Sequence, residues 1–198
     1  MKKARILILA IATLLMLSTT LSACNRDYIR FVWDGTFSMY PTFHAPAGQR
    51  VYARITQDIS RGDIVLYRKV VYPCVLGNSP VQMKRVIALG GDTIEFRQHT
   101  KVSEDFRFGL FWIYINGEFL DESEYLAPFR EHEHGYTWTS IGFWLYEGFT
   151  VSDGGDNFLL VIPQGYFFVM GDNRGDSLDS RHEGPIPMEN LYGIFVER

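Results

Sequence analysis

Cysteine is nearly absent: only Cys24 and Cys74 occur in 198 residues. Two thiols build no disulfide framework, and on their own they cannot complete a structural zinc site, which usually takes four ligands. Basic blocks are missing too. Net charge is −4 and Lys and Arg are scattered, so nothing points to nucleic acid. From about Asn25 onward there is no stretch with a clean helical period, no internal repeat and no low-complexity linker. A helical bundle, a repeat array and a disordered tail are thereby excluded. Aromatics are plentiful at 15%, and aromatic residues favour strands.

The first segment differs from the rest. It opens with Lys2, Lys3 and Arg5, runs apolar from Ile6 to Leu17 apart from Thr13, and ends in Ser18, Thr19, Thr20, Ser22 and Ala23. Basic start, apolar middle and small-residue exit form an export signal, and the basic end stays in the cytoplasm. An uncleaved helix from Ile6 to Ala23 is about 27 Å long at 1.5 Å per residue, close to the ~30 Å of a bilayer core. The alternative is lipidation, because Leu21-Ser22-Ala23-Cys24 resembles a bacterial lipobox and makes Cys24 the acylation candidate. Either outcome tethers the chain to membrane lipid and places the body at the extracytoplasmic face. The division expected is an anchor over 1–23 and a body over 24–198, with an insertion at about 97–156.

Within the body, short β-rich runs alternate with Gly, Pro, Asp and Asn. Strands are predicted at Arg50–Arg54, Asp63–Arg68, Val81–Leu89, Asp92–Phe96, Phe111–Gly117, Phe158–Ile162, Gly165–Met170 and Tyr192–Val196. Turn signals such as Gly90-Gly91-Asp92 and Asn116-Gly117 separate them. The fold expected is all-β and mainly antiparallel. His132 and His134, two apart, read as an exposed polar loop rather than a metal pair. Ser152–Asn157 reads as a turn, since it lacks the ordered ligand series of a calcium loop. No metal or cofactor is expected.

Three segments carry chemistry. Ser38 sits in Gly35–Phe43, where Pro41 stiffens the chain. Lys84 sits inside an apolar strand pattern, and alternation sends Gln82, Lys84 and Val86 to one face and Met83 and Arg85 to the other. The run from Gly171 to Arg181 places Asp172, Asn173, Arg174, Ser177, Asp179 and Arg181 at the end of an apolar strand, where opposite charges can satisfy one another and fix a loop.

In this order the three segments resemble the type I signal peptidases. Ser-Met-x-Pro-Thr falls at Ser38–Thr42, Gly-Asp-Ile-Val at Gly62–Val65, Lys-Arg-Val at Lys84–Val86 leading to Gly91-Asp92, and Gly-Asp-Asn-Arg-x-x-Ser-x-Asp-Ser-Arg at Gly171–Arg181. The match runs from about Phe31 to the C-terminus with the middle unmatched. The resemblance implies the family's coiled β fold or partial barrel. It also implies a Ser38/Lys84 dyad and an oxyanion hole made by the Ser38 N–H and the Thr36 hydroxyl. Ser177 is implied to bond Lys84 and orient it. Arg85, Asp172, Asn173, Arg174, Asp179 and Arg181 are structural supports, with Arg85 pairing to Asp172 and Asp179 to Arg181. The implied substrates are preproteins with a small-x-small exit. There are two departures: Phe37 replaces the usual Gly before the nucleophile, and Gly90-Gly91-Asp92 replaces Pro-Gly-Asp.

A lysine base must be neutral to accept a proton, yet its ordinary pKa is near 10.4. Apolar burial disfavours the ammonium, and reaching about 7–8 requires roughly 4 kcal/mol of differential solvation. Two other readings are weaker. A self-cleaving repressor shares the dyad logic but conflicts with the export signal and the missing DNA-binding helices. A lipoprotein using the fold as a binding module would draw on Phe37 but conflicts with retained Ser38, Lys84 and Ser177.

Overall fold

The computed structural model describes residues 27–69, 81–101, 108–126, 137–140, 148, 150–151 and 157–197. The anchor segment 1–23, Cys24, Cys74, His132, His134 and residues 152–156 of the turn segment lie outside the described residues. Among those described, no helix is long and apolar enough to cross a membrane.

The body is antiparallel β with very little helix, as the alternating strand runs imply. Seven strands form the first sheet. They are β1 (Tyr28–Val32), β2 (Arg50–Arg54), β3 (Ile64–Arg68), β4 (Val81–Leu89), β11 (Tyr166–Met170), β12 (Ile186–Pro187) and β13 (Leu191–Val196). Their spatial order is β1-β2-β13-β3-β4-β11-β12, so the last strand of the chain lies between β2 and β3. The second sheet holds β5 (Thr93–Lys101), β6 (Phe108–Ile115), β7 (Glu118–Phe119), β8 (Thr137–Ser140), β9 (Thr150–Val151) and β10 (Asn157–Val161). It runs β7-β6-β5-β10-β9, with β8 also paired to β6. The stretch from 97 to 156 thus contributes strands to this sheet. Asn116 and Gly117 take φ of 54° and 83° at the β6–β7 hairpin, the left-handed pair that an Asn-Gly turn supplies.

β4 passes into β5, and β10 into β11, at adjoining turns that are bonded to each other: Gly91 N–H donates to Ile162 O, and Ile162 N–H to Asp92 O, both at 2.8 Å. One apolar cluster closes this junction. Ile87, Phe168 and Met170 of the first sheet pack with Ile94, Phe96, Phe111 and Ile113 of the second, all at most 2% exposed. A second cluster joins Val65, Tyr67, Val86 and Val169. A third joins Trp33, Met39, Val51, Leu66 and Met83. Fully burying side chains of this size contributes about 1.5–3 kcal/mol each. The two strands that carry the candidate chemistry, β4 and β11, are therefore fixed on both faces.

The strands at Arg50–Arg54 and Val81–Leu89 have the predicted bounds, and the other predicted strands shift by a few residues. β1, β7, β8, β9 and β12 carry no strong alternation in sequence. Nor does the single helical turn α1 (Ser180–Glu183), whose N-cap is Asp179.

Candidate functional site

Ser38 lies in the loop between β1 and β2, in a turn closed by Tyr40 N–H to Phe37 O (3.0 Å) and Phe43 N–H to Met39 O (2.9 Å). Met39, fully buried in the third cluster, pins this turn to the core. Phe37 and Tyr40 point outward at 53% and 42% exposure, while Ser38 is recessed at 7%. Phe37 stacks on His44 with ring centroids 4.9 Å apart. The residue that departs from the family pattern is thus accommodated at the surface, beside the hydroxyl and not over it.

Lys84 sits in the middle of β4, opposite Val65 of β3, and is 1% exposed. Its Nζ lies 2.7 Å from Ser38 Oγ, 3.1 Å from Met83 O and 3.4 Å from Gln82 Oε1. Gln82 shares its face, as alternation requires. Burial pulls the amine down to about 8, against the opposing fields of Asp179, Glu183 and Asp34 and with some help from Lys69. The hydroxyl of Thr36 stands 3.4 Å from Ser38 Oγ. Among the described residues the Ser38 N–H makes no hydrogen bond. An amide donor at Ser38 and the Thr36 hydroxyl thus stand on the same turn as Ser38 Oγ.

The segment after β11 straps this turn in place. Asn173 N–H donates to Ser38 O at 3.1 Å, and Asn173 Nδ2 to Phe37 O at 3.2 Å. Gly171 lies so close that a Cβ there would overlap both Ser38 O and Ser177 Oγ. Asp179, fully buried, accepts from Gly171 N–H (2.9 Å), Ser177 Oγ (2.8 Å), and Arg181 Nε (2.8 Å) and Nη2 (2.9 Å). Burial alone would raise its carboxyl. The Arg181 charge and these donors outweigh burial and hold it at about 2. The second expected pair also forms, with Arg85 forked onto Asp172 at 2.9 and 2.6 Å. Charge-assisted, bidentate geometry of this kind fixes orientation as well as contributing energy.

Ser177 departs from its implied role. Its hydroxyl donates to Asp179, and no hydrogen bond joins it to Lys84. The carboxylate is the stronger acceptor and lies two residues away, and the amine is already engaged by Ser38 and Met83 O. Ser177 thus supports the strap through Asp179.

Other supports carry no local signal in the sequence. Glu122, 2% exposed and following β7, forms a buried bidentate pair with Arg174, whose Nε holds Gly171 O at 3.0 Å. Tyr125 donates to Glu122 Oε1 at 2.7 Å and carries Arg85 over its ring at 4.0 Å. The second sheet thereby buttresses the strap. An acidic residue in Asp121-Glu122-Ser123-Glu124 reads as solvated surface, and nothing local marks it as a partner for an arginine 52 residues away. Glu183 and Lys69 form an ion pair at 3.0 Å.

Residues 3–198 match the family described as signal peptidase, peptidase S26. Signal peptidase I S of Bacillus subtilis is 32% identical over 202 residues, covering 96% of this chain and 83% of that protein. Signal peptidase I V of the same organism is 30% identical over 175 residues, covering 87% and 86%. Among solved structures, a signal peptidase I from Enterococcus faecalis matches with a TM-score of 0.46 at 25% identity, over 72% of this chain and 99% of the other.

Proposed function

The chain belongs to the signal peptidase family, peptidase S26, and is a peptide-bond hydrolase that removes signal peptides; from that premise we propose that Ser38 is its nucleophile and Lys84 its general base. The observation that carries this assignment is the 2.7 Å contact between Lys84 Nζ and Ser38 Oγ, with the amine 1% exposed. When neutral, Lys84 accepts the Ser38 proton as Oγ attacks the scissile carbonyl. The oxyanion that forms accepts from the Ser38 N–H and the Thr36 hydroxyl. Lys84, now an ammonium, gives its proton to the leaving amine. It then takes one from the water that releases the acyl group. Asp172 and Asp179 hold geometry and exchange no proton. Phe37 lies at the surface and leaves the Ser38–Lys84 contact intact, which favours the enzyme over a binding module.

The substrates are preproteins with small residues flanking the exit. Ser38 is recessed while Phe37 and Tyr40 are exposed, which favours small side chains next to the scissile bond. Cleavage of such a preprotein is expected to rise with pH through one limb near 8, because the base works only when deprotonated. About a tenth of the enzyme is active at pH 7 on that basis. A limb above 10 would show that Lys84 is solvated and would overturn the dyad.

The export-like segment tethers the body at the extracytoplasmic face of the membrane, through either the helix to Ala23 or an acylated Cys24. Tethering enzyme and substrate to one surface raises their effective concentration. Intact mass of the membrane form decides between them. A diacylglyceryl adduct on Cys24 with residues 1–23 removed establishes the lipid, and an unprocessed Met1 excludes it.

A further inference from the structure

Ser177 is engaged by Asp179 at 2.8 Å and does not orient the Lys84 amine. Something else must aim it. A neutral primary amine has two N–H donors and one lone pair, and it turns about the Cε–Nζ bond among three staggered positions. It takes the serine proton only when the lone pair faces Ser38 Oγ. In the other two positions an N–H faces that oxygen and the base is idle.

Three oxygens surround Nζ: Ser38 Oγ at 2.7 Å, Met83 O at 3.1 Å and Gln82 Oε1 at 3.4 Å. They are not equivalent. A serine hydroxyl both donates and accepts, whereas backbone and amide carbonyls only accept. The two N–H groups therefore belong on Met83 O and Gln82 Oε1, and the lone pair on Ser38. No other position of the amine satisfies all three oxygens. One carbonyl does not suffice. With Met83 O alone, the second N–H bonds to Ser38 Oγ equally well and the lone pair turns away. Gln82 closes that option, because a lone pair facing its carbonyl oxygen is repelled. Lys84 is 1% exposed, so bulk water is a poor substitute for a missing acceptor. The backbone under Gln82 is fixed, since β3 and β4 pair without a break from Ile64 opposite Arg85 to Arg68 opposite Val81.

Other groups act on the amine from neighbouring elements. Burial is the main influence on its proton affinity. Asp179 and Glu183 at α1 and Asp34 ahead of the Ser38 turn favour the charged form, and Lys69 beyond β3 opposes it. Tyr67 stands opposite Gln82 on β3, and burial, with Glu183 and Asp179, keeps its hydroxyl protonated. Burial pulls His182 of α1 toward neutrality. Arg85, on the other face of β4, is held by Asp172. Among the described residues none of these groups bonds to Nζ. They bear on how tightly the amine holds a proton, and leave its direction to the two carbonyls.

We propose that Gln82 is a positioning residue whose side-chain carbonyl, together with Met83 O, holds the two N–H groups of neutral Lys84 and so aims the lone pair at Ser38 Oγ. This role presupposes Lys84 as the general base. On proton transfer the Ser38 O–H bond breaks and a third N–H forms, while both carbonyl contacts stay in place.

The test is kcat, KM and the pH profile of wild type, Gln82→Met and Gln82→Glu on a preprotein with an Ala-x-Ala exit, with melting curves at pH 8 to establish folding. Methionine matches the length of glutamine and lacks the acceptor. Its plateau kcat is expected to fall about 3–10-fold, with KM within about twofold of wild type. Its limb moves to lower pH, because the ammonium loses a carbonyl that bonds to it. Glutamate keeps an acceptor in the same place and adds a negative charge. Its plateau kcat should stay within about twofold of wild type, and its limb should rise by about one pH unit. A side chain that merely fills space does not move the limb in opposite directions. Each variant carries its own sign, so if one does not fold the other decides. A wild-type limb near 8 that folded variants leave in place overturns the role of Gln82 alone, as does a loss confined to KM. A wild-type limb above 10 overturns the dyad instead.

Discussion

Ser38→Ala and Lys84→Met are each expected to reduce cleavage of an Ala-x-Ala preprotein by about 10⁴-fold or more, with the fold retained. The proposed dyad spans 2.7 Å, so the double variant should be little worse than either single one. Stability separates loss of chemistry from loss of structure. The Lys84 amine has a pKa of about 8 in the folded protein against an ordinary 10.5. Below pH 8 both folded and unfolded chains hold the proton, and the folded state carries the full penalty of a buried ammonium. Between 8 and 10.5 the unfolded chain stays protonated while the folded one is neutral, so stability rises with pH and the penalty fades. Methionine fills a similar volume without the charge. Lys84→Met is accordingly expected to melt at or above wild type at pH 7, with the gap closing toward pH 10. Full cleavage by either variant, or a gap that widens with pH, would refute a desolvated lysine base.

Gly171→Ala is expected to be nearly as damaging, with a loss of about 10³-fold or more borne mainly by kcat. One methyl group there overlaps Ser38 O and Ser177 Oγ. One obstacle is backbone, and the other is a hydroxyl tied to Asp179, so neither can move aside cheaply. The strap must lift, breaking the Asn173 N–H to Ser38 O bond, and displacing a nucleophile by about 1 Å from its aligned position costs about 10² or more in rate. The Arg181–Asp179 and Arg85–Asp172 pairs are expected to keep the body folded. Near-native kcat with a raised KM would mean that the strap does not set the position of Ser38.

Much of this site is legible in the sequence, for identifiable reasons. Strand alternation is enough to separate Lys84 from Arg85. Opposite charges packed after an apolar strand demand internal pairing, and Asp172 and Asp179 find the expected arginines. Ser177 defeats the motif because a serine within reach of several acceptors chooses by local geometry, which a motif does not encode. Glu122 and Glu183 are invisible in sequence because each is defined by a partner on another element: Arg174 across the sheets, and Lys69 beyond β3. A short acidic run looks solvated until a fold buries it. The strands that escape a sequence reading are short or lack alternation, as with the two-residue β7, β9 and β12.

The placement of β13 ties together the two halves of the proposed dyad. It lies inside the first sheet, bonded to β2 on one side and to β3 on the other. β3 in turn pairs with β4, which carries Lys84, while β2 follows directly on the Ser38 loop. Loss of β13 would part the strand that anchors the hydroxyl's loop from the strands that carry the amine.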